Sequence, residues 1–163
     1  MASRPMTDGT LVREARKSDA AMLAAVRAAA DPASELADPG YFENLVDQYD
    51  GLIYVAQSQD SVIGFLVLQR AAHSAVAAHN PIQLWQLYVA PVHHGSGAAT
   101  QLTNAALTHA RNQSHDVIWL GVSEHNARAM AFYRKQGFTA DGRHIVGSAE
   151  HAHHDIVMSR AVQ

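Results

Sequence analysis

The sequence predicts an α/β chain of the α+β kind, with elements in the order β, α, α, β, β, β, α, β, α, β, β. Three observations carry that expectation. Two apolar, β-branched runs, Leu52 to Ala56 and Val62 to Leu68, flank the polar stretch Gln57-Ser58-Gln59-Asp60-Ser61 and read as a hairpin. A strand over Ile82 to Ala90 runs into the small-residue turn His93-His94-Gly95-Ser96-Gly97 and then a helix. A second strand-to-helix unit follows about thirty residues later, Asp116 to Val122 and then Asn126 to Gln136.

The remaining elements follow in order. Thr10 to Arg16 alternates Leu11, Arg13 and Ala15 against Val12, Glu14 and Arg16, the period of a short strand. Ser18 is placed to cap a helix from Asp19 to about Ala30, with Met22, Leu23 and Val26 on one face, and Asp31-Pro32 ends it. Pro39-Gly40 precedes a second helix through about Gln48, carrying Tyr41, Phe42, Leu45 and Val46; Asp50-Gly51 then turns the chain. The Ala/His-rich stretch from Ala71 to Asn80 has no period and reads as a loop closed by Pro81. Pro91 stops the strand before the turn. The helix from Gly97 to about Arg111 buries Leu102, Ala106 and Leu107. Asn126 caps the next helix, which has Arg134 and Lys135 in its last turn and Gly137 just beyond. Phe138 onward and Asp155 to Arg160 pair as closing strands. Residues 1–9 are expected to be a flexible tail and 10–163 one domain, long enough at 163 residues to bury its own core.

Composition narrows the functions available. The chain has no cysteine, which excludes disulfides, thiolate metal sites and an acyl-cysteine intermediate. No apolar stretch is long enough to span a bilayer, and the first nine residues lack a signal-peptide core, so the expected compartment is the cytoplasm. A net charge of −3 argues against nucleic acid. Its distribution says more. Between Ala28 and Gln69 there is no Lys or Arg, while Asp31, Glu35, Asp38, Glu43, Asp47, Asp50 and Asp60 are acidic. Most of these belong on solvated helix faces; two or more could form a negative rim that steers a cationic substrate.

The turn carries the chemistry. Backbone N–H groups of a Gly/Ala-rich turn, followed by the open N-terminus of a helix, form a ready site for a diphosphate. Glycine and alanine keep side chains out of the way of the phosphate oxygens.

The two strand-to-helix segments together resemble the GCN5-related N-acetyltransferase (GNAT) superfamily, which transfers acetyl from acetyl-CoA to amines. The superfamily's pyrophosphate signature is Arg or Gln, two residues, Gly, one residue, then Gly or Ala. It falls here on His94-Gly95-Ser96-Gly97-Ala98-Ala99, with His94 replacing the usual first residue. The family's Asn and Ala-x-x-Phe-Tyr-x-x-x-Gly-Phe stretch is matched by Asn126, Ala129, Phe132, Tyr133, Gly137 and Phe138. The resemblance implies a GNAT fold: a mixed, mostly antiparallel central sheet, splayed between two parallel strands and flanked by about four helices. Within the superfamily, Trp119-Leu120-Gly121-Val122, Ala129-Met130-Ala131-Phe132-Tyr133, Val146-Gly147 and Asp155-Ile156-Val157-Met158 look like the bacterial spermine/spermidine acetyltransferase branch.

The resemblance also implies a site. Leu87, Tyr88 and Val89 would pair with pantetheine as an extra strand, and the Val89 N–H would hold the thioester oxygen. His94, Gly95, Ser96, Gly97, Ala98, Ala99 and Thr100 would take the diphosphate, and Asn126 would cap its helix and bond the pantetheine arm. Tyr133 would be the general acid, its hydroxyl aimed at the coenzyme sulfur; a phenol with pKa near 10 stays protonated at neutral pH.

No base is identifiable. Gln83 and Gln86 occupy the strand where some family members carry glutamate, and neither titrates. Glu124 could accept a proton, or simply favour the dipole of the helix behind it. Substrate-binding carboxylates are expected among Glu35, Glu43 and Glu124. The run His151-Ala152-His153-His154-Asp155 has the residue types of a metal site, but a polar loop accounts for it and no metal is expected.

The expected activity is therefore acetyl-CoA-dependent acetylation of a primary amine on a small molecule, a polyamine first, by direct attack in a ternary complex. The alternatives are another small amine, such as an antibiotic or a peptide N-terminus, and a non-catalytic acyl-CoA sensor. Partners are acetyl-CoA and a small amine, without nucleic acid or membrane; a homodimer is left open.

Overall fold

The computed structural model describes residues 9–146 and 153–162. All but Gly9 of the tail expected over 1–9 lies outside those residues, as do His151 and Ala152 of the histidine run.

The elements are β1 (Leu11–Glu14), α1 (Ala20–Ala30), α2 (Pro39–Gln48), β2 (Ile53–Ser58), β3 (Ser61–Gln69), β4 (Pro81–Val89), α3 (Ala98–Asn112), β5 (Val117–Ser123), α4 (Ala127–Lys135), β6 (Thr139–Val146) and β7 (His153–Ala161). The seven strands form one mixed sheet in the order β1-β2-β3-β4-β5-β7-β6. β4 and β5 are its parallel pair, with Pro81, Ile82 and Gln83 opposite Val117, Ile118 and Trp119. The expected class and element order both hold. By packing, the chain divides into two compact units, Met1–Leu68 with Gln86–Ala106, and Gln69–Trp85 with Leu107–Gln163.

The first unit is built on the β2–β3 hairpin. Its turn is tighter than the five polar residues suggest, because Ser58 pairs with Ser61 and Gln59 adopts φ +56°. Alternation puts Val55, Phe65 and Val67 into a core shared with Leu23, Val26, Phe42 and Leu45. Phe42 meets Phe65 edge-on at 5.4 Å between ring centroids.

Ser18 is not the cap of α1. A 3-10 turn, Lys17–Asp19, precedes the helix, and Asp19 stands at its cap position. The Asp19 carboxylate accepts from the Arg16 N–H at 2.7 Å and from both terminal guanidinium nitrogens of Arg13 at 2.9 Å. A buried, bidentate charge pair outweighs a serine hydroxyl in fixing where this chain turns. Met22, expected on the apolar face, is 40% exposed. α2 starts at Pro39 itself, with the Asp38 carboxylate accepting from the Tyr41 N–H.

The second unit joins the start of β4 to β5, β7 and β6. Buried Ile82, Leu84, Ile118, Leu120, Phe138, Val157 and Met158 form its apolar interior. Asp116 fixes the end of the long loop before β4, accepting from the His79 and Asn80 N–H groups at 2.8 Å each. Those two bonds, first that from His79 and then that from Asn80, hold its carboxyl below the ordinary range, with desolvation weakly opposing. α4 ends as expected: Gly137 takes φ +91°, a left-handed conformation that favours glycine.

Candidate functional site

In the first unit, the end of β4 leads through a tightly bonded turn into α3. Pro91 opens a 3-10 turn, Pro91–His93, rather than merely stopping the strand. The His93 N–H donates to the Ala90 carbonyl at 2.8 Å, His94 N–H to Pro91 at 3.1 Å and Ser96 N–H to His93 at 3.1 Å. Gly95 and Gly97 then take φ +86° and +92°. Among the described residues, its chain neighbours apart, no heavy atom lies within 4 Å of where a Cβ on Gly95 would stand, so that side of the turn is open.

Gly97 supplies the first carbonyl of α3, accepting from the Gln101 N–H at 3.0 Å, and Ser96 Oγ accepts from the Ala98 N–H at 3.3 Å. Ala98 is buried and anchors the helix start, while Gly95, Gly97 and Thr100 are exposed. A helix of fifteen residues begins here, so its first-turn N–H groups and the positive end of its dipole converge on the turn.

The chain around it is free of negative charge. From Ser61 to His115 the sequence has neither Asp nor Glu. The turn thus has what an anion needs: glycines in left-handed conformations, an open approach and no carboxylate on its own stretch of chain. A diphosphate fits this arrangement.

The His94 side chain is used locally. Its Nε2 lies 3.1 Å from the Val89 carbonyl oxygen, tying the turn back to the strand. Gly64 on β3 lets the strand end approach: a Cβ there would meet the Tyr88 carbonyl oxygen and a Val89 methyl at 3.0 Å, and Leu102 at 3.4 Å. Leu87 is half-buried and Val89 buried.

The Tyr88 ring packs on Phe65 and under the Arg27 guanidinium, 4.4 Å from ring centroid to Cζ. Burial raises the Tyr88 pKa above its ordinary value, with Arg27 opposing, so the phenol stays protonated at neutral pH and is a poor base. Arg27 Nη1 also donates to Gln86 Oε1 at 3.2 Å. The pairing of Arg27 with buried Gln86 carried no signal in the sequence, because it spans 59 positions.

Glu35 sits in the segment between α1 and α2 and Glu43 on α2; both are exposed. The Lys17 pKa is raised first by its hydrogen bond to Asp47, at 2.9 Å, then by the field of Asp47, and least by that of Glu43.

In the second unit, Asn126 caps α4 as expected, its Oδ1 accepting from the Ala129 N–H at 3.1 Å. Tyr133 is buried, with its ring edge-on to Phe132 at 5.3 Å and to Phe138 at 5.7 Å. Glu124 is not an isolated carboxylate. Arg143 Nη1 lies 3.4 Å from it, which offsets its charge toward a cationic substrate, and His125 Nε2 lies 3.8 Å away. Among the described residues no three His, Cys, Asp or Glu side chains gather as a metal site.

The same unit holds a cavity of about 310 Å³ lined by His73, Gln83, Trp85, Trp119, Gly121, Asp155 and Val157. Strand period explains the set. Gln83 and Trp85, Trp119 and Gly121, Asp155 and Val157 are i, i+2 pairs on three neighbouring strands, so each pair shares one face. The indole N–H of Trp119 donates to the Ala71 carbonyl at 2.8 Å, and the His73 ring lies 5.2 Å from the Trp119 ring, fastening the loop before β4 as a wall. A Cβ on Gly121 would lie 3.4 Å from an Asp155 carboxylate oxygen. The two aromatic walls and the carboxylate were not assembled from the sequence, since they require the register of three strands; the i, i+2 pairs were the available signal.

Comparison with known proteins gives a consistent result. The family model described as Acetyltransferase (GNAT) family matches residues 20–138. An uncharacterized N-acetyltransferase of Mycobacterium tuberculosis is 30% identical over 127 residues, 78% of this chain and 77% of that one. Among solved structures, a ribosomal-protein-alanine N-acetyltransferase from Brucella melitensis superposes with a TM-score of 0.78 at 23% identity, covering 93% of this chain and 99% of that one. A protein from Salmonella typhimurium solved with its cofactor acetyl-CoA gives 0.77 at 18% identity, covering 94% of each chain.

Proposed function

The chain belongs to the acetyltransferase (GNAT) family, and from that premise we propose that it transfers acetyl from acetyl-CoA to a primary amine of a small molecule, a polyamine first. The observation that carries the reading is the turn at His94–Thr100, where Gly95 and Gly97 hold positive φ and open onto the start of α3. In this reading N–H groups of the turn other than those of His94, Ser96 and Ala98, which donate within it, hold a diphosphate.

In this reading the residues divide the work by atom. Leu87, Tyr88 and Val89 offer a backbone edge to the pantetheine arm, and Asn126 adds a side-chain bond to it. The Val89 N–H donates to the thioester oxygen and steadies the negative charge that gathers there as the amine attacks. The amine nitrogen forms its bond to the acetyl carbon as the carbon–sulfur bond breaks. Tyr133 then gives its phenolic proton to the departing sulfur, and the proton shed by the amine nitrogen passes through solvent to the Tyr133 phenolate, leaving an amide, a free thiol and a neutral tyrosine.

A polyamine is favoured because the α1–α2 region carries carboxylates and no cation from Ala28 to Gln69, with Glu35 and Glu43 exposed to solvent. Glu124 contributes less to this attraction, being paired with Arg143.

Thiol release from acetyl-CoA over a panel of amines tests the reading. Release that depends on spermidine is the expected result. Release only with an antibiotic or a peptide N-terminus would move the acceptor to that class. Coenzyme binding with no release from any amine would make the chain a sensor.

A further inference from the structure

We propose that the cavity of the second unit is the seat of the cationic head of the acceptor amine, with Trp85 and Trp119 as its aromatic faces and Asp155 as its counter-charge. The inference rests on the amine-acetylating function proposed above and assigns the recognition to residues. Three features of the cavity point to an alkylammonium rather than to a neutral or acidic ligand.

The first is its aromatic lining. Trp119 is held by its bond to the Ala71 carbonyl and by His73, so its ring is pre-oriented. Trp85 is 37% exposed and lines the same cavity as Trp119, so its indole is within reach of a ligand there. Indole faces are the best aromatic partners for ammonium groups, because the ring's quadrupole is negative above and below the plane.

The second is the charge of the lining. Among the described residues it holds one carboxylate, Asp155, one imidazole, His73, and no Lys or Arg. An amino acid or other amine carrying a nearby carboxylate would bring its negative charge against Asp155, with no Lys or Arg among the described lining residues to receive it. A polyamine or a simple alkylamine would not.

The third is the space. Gly121 leaves its position on the sheet face empty, with Asp155 Oδ2 3.4 Å from where a Cβ would be. The carboxylate therefore borders the cavity instead of being covered from β5. A volume of about 310 Å³ lies at the lower end of small-molecule sites, roughly 300–1,000 Å³, and suits an unbranched chain better than a bulky antibiotic. Gln83 is already oriented by Gln69, whose Nε2 donates to its Oε1 at 2.8 Å, which leaves the Gln83 amide in a fixed position along the wall.

Two readouts test the proposal. In steady-state kinetics with spermidine, Asp155→Asn should raise KM about tenfold or more with acetyl-CoA affinity unchanged, as expected for loss of one charge partner to a bound cation. In titrations of tryptophan fluorescence, spermidine and butylamine should change the emission of the native protein, while butanol and valine should not. That response should be lost in Asp155→Asn and reduced in Trp85→Leu, a substitution at a partly exposed site that leaves the core alone. An unchanged KM in Asp155→Asn, with spermidine-dependent thiol release still present, would overturn the proposal while leaving the acetyltransferase reading in place. If no amine elicits thiol release, the proposed function fails, yet a spermidine fluorescence response that depends on Asp155 would still establish the cavity as a cation site. Equal responses to butylamine and butanol would overturn that too.

Discussion

Tyr133 is buried with its ring wedged edge-on between Phe132 and Phe138, so the phenol's direction is set by packing on both sides. If it is the acid, Tyr133→Phe keeps the ring and removes only the proton. Turnover should fall about a hundredfold while acetyl-CoA affinity stays nearly intact, and equal turnover would remove Tyr133 from the mechanism. This residue was legible in the sequence because its neighbours Phe132, Gly137 and Phe138 fall within one local stretch. Asp155 was legible as the end of a histidine-rich run and the start of a closing strand, but not as lining a cavity with Trp85 and Trp119, which are distant in sequence. Asp19 shows a different kind of residue effect. Its carboxyl is held below the ordinary range first by the Arg13 hydrogen bond, with burial opposing and the Arg16 N–H assisting. A carboxylate depressed in the folded state contributes stability that is fully present above its unfolded pKa, about 3.9, and is lost as pH falls through the folded value. Stability should therefore drop on acidification below about pH 4, and Asp19→Asn should flatten that part of the profile in urea titrations. A profile unchanged by the substitution would mean the pair contributes nothing there.

Elements placed by local rules came out where the sequence put them. α4 is the clearest case, with Asn126 at one end and Gly137 at the other. The hairpin was legible too, though its turn is two residues, because Ser58 and Ser61 pair where the polarity of both suggested loop. Pro91 was read as a stop, yet it begins a 3-10 turn whose bonds set up Gly95 and Gly97; proline is well suited to the first position of a helical turn. The join between β3, the end of β4 and α3 was not legible at all. It depends on Gly64, above which the Tyr88 carbonyl, Val89 and Leu102 crowd closely. Gly64→Ala should push the end of β4 outward, costing about 1–3 kcal/mol in urea unfolding and weakening acetyl-CoA binding. Native stability and affinity in this variant would show that the strand end is not held by that contact.

For the whole molecule, charge is segregated along the chain: a segment without cations from Ala28 to Gln69, and one without carboxylates from Ser61 to His115. The two would suit the polycationic acceptor proposed above and an anionic coenzyme. Neutralising Glu35 and Glu43 together should raise KM for spermidine more than for a monoamine, and the difference should shrink as salt is added. A uniform change would count against steering by that segment. The account as a whole depends on where the coenzyme's diphosphate lies, and a crystal structure of the protein soaked with acetyl-CoA measures this directly. It should place the diphosphate oxygens about 3 Å from N–H groups within residues 95–100, with the Tyr133 hydroxyl facing sulfur. A diphosphate bound elsewhere, or a Tyr133 oxygen turned from the sulfur, would contradict it.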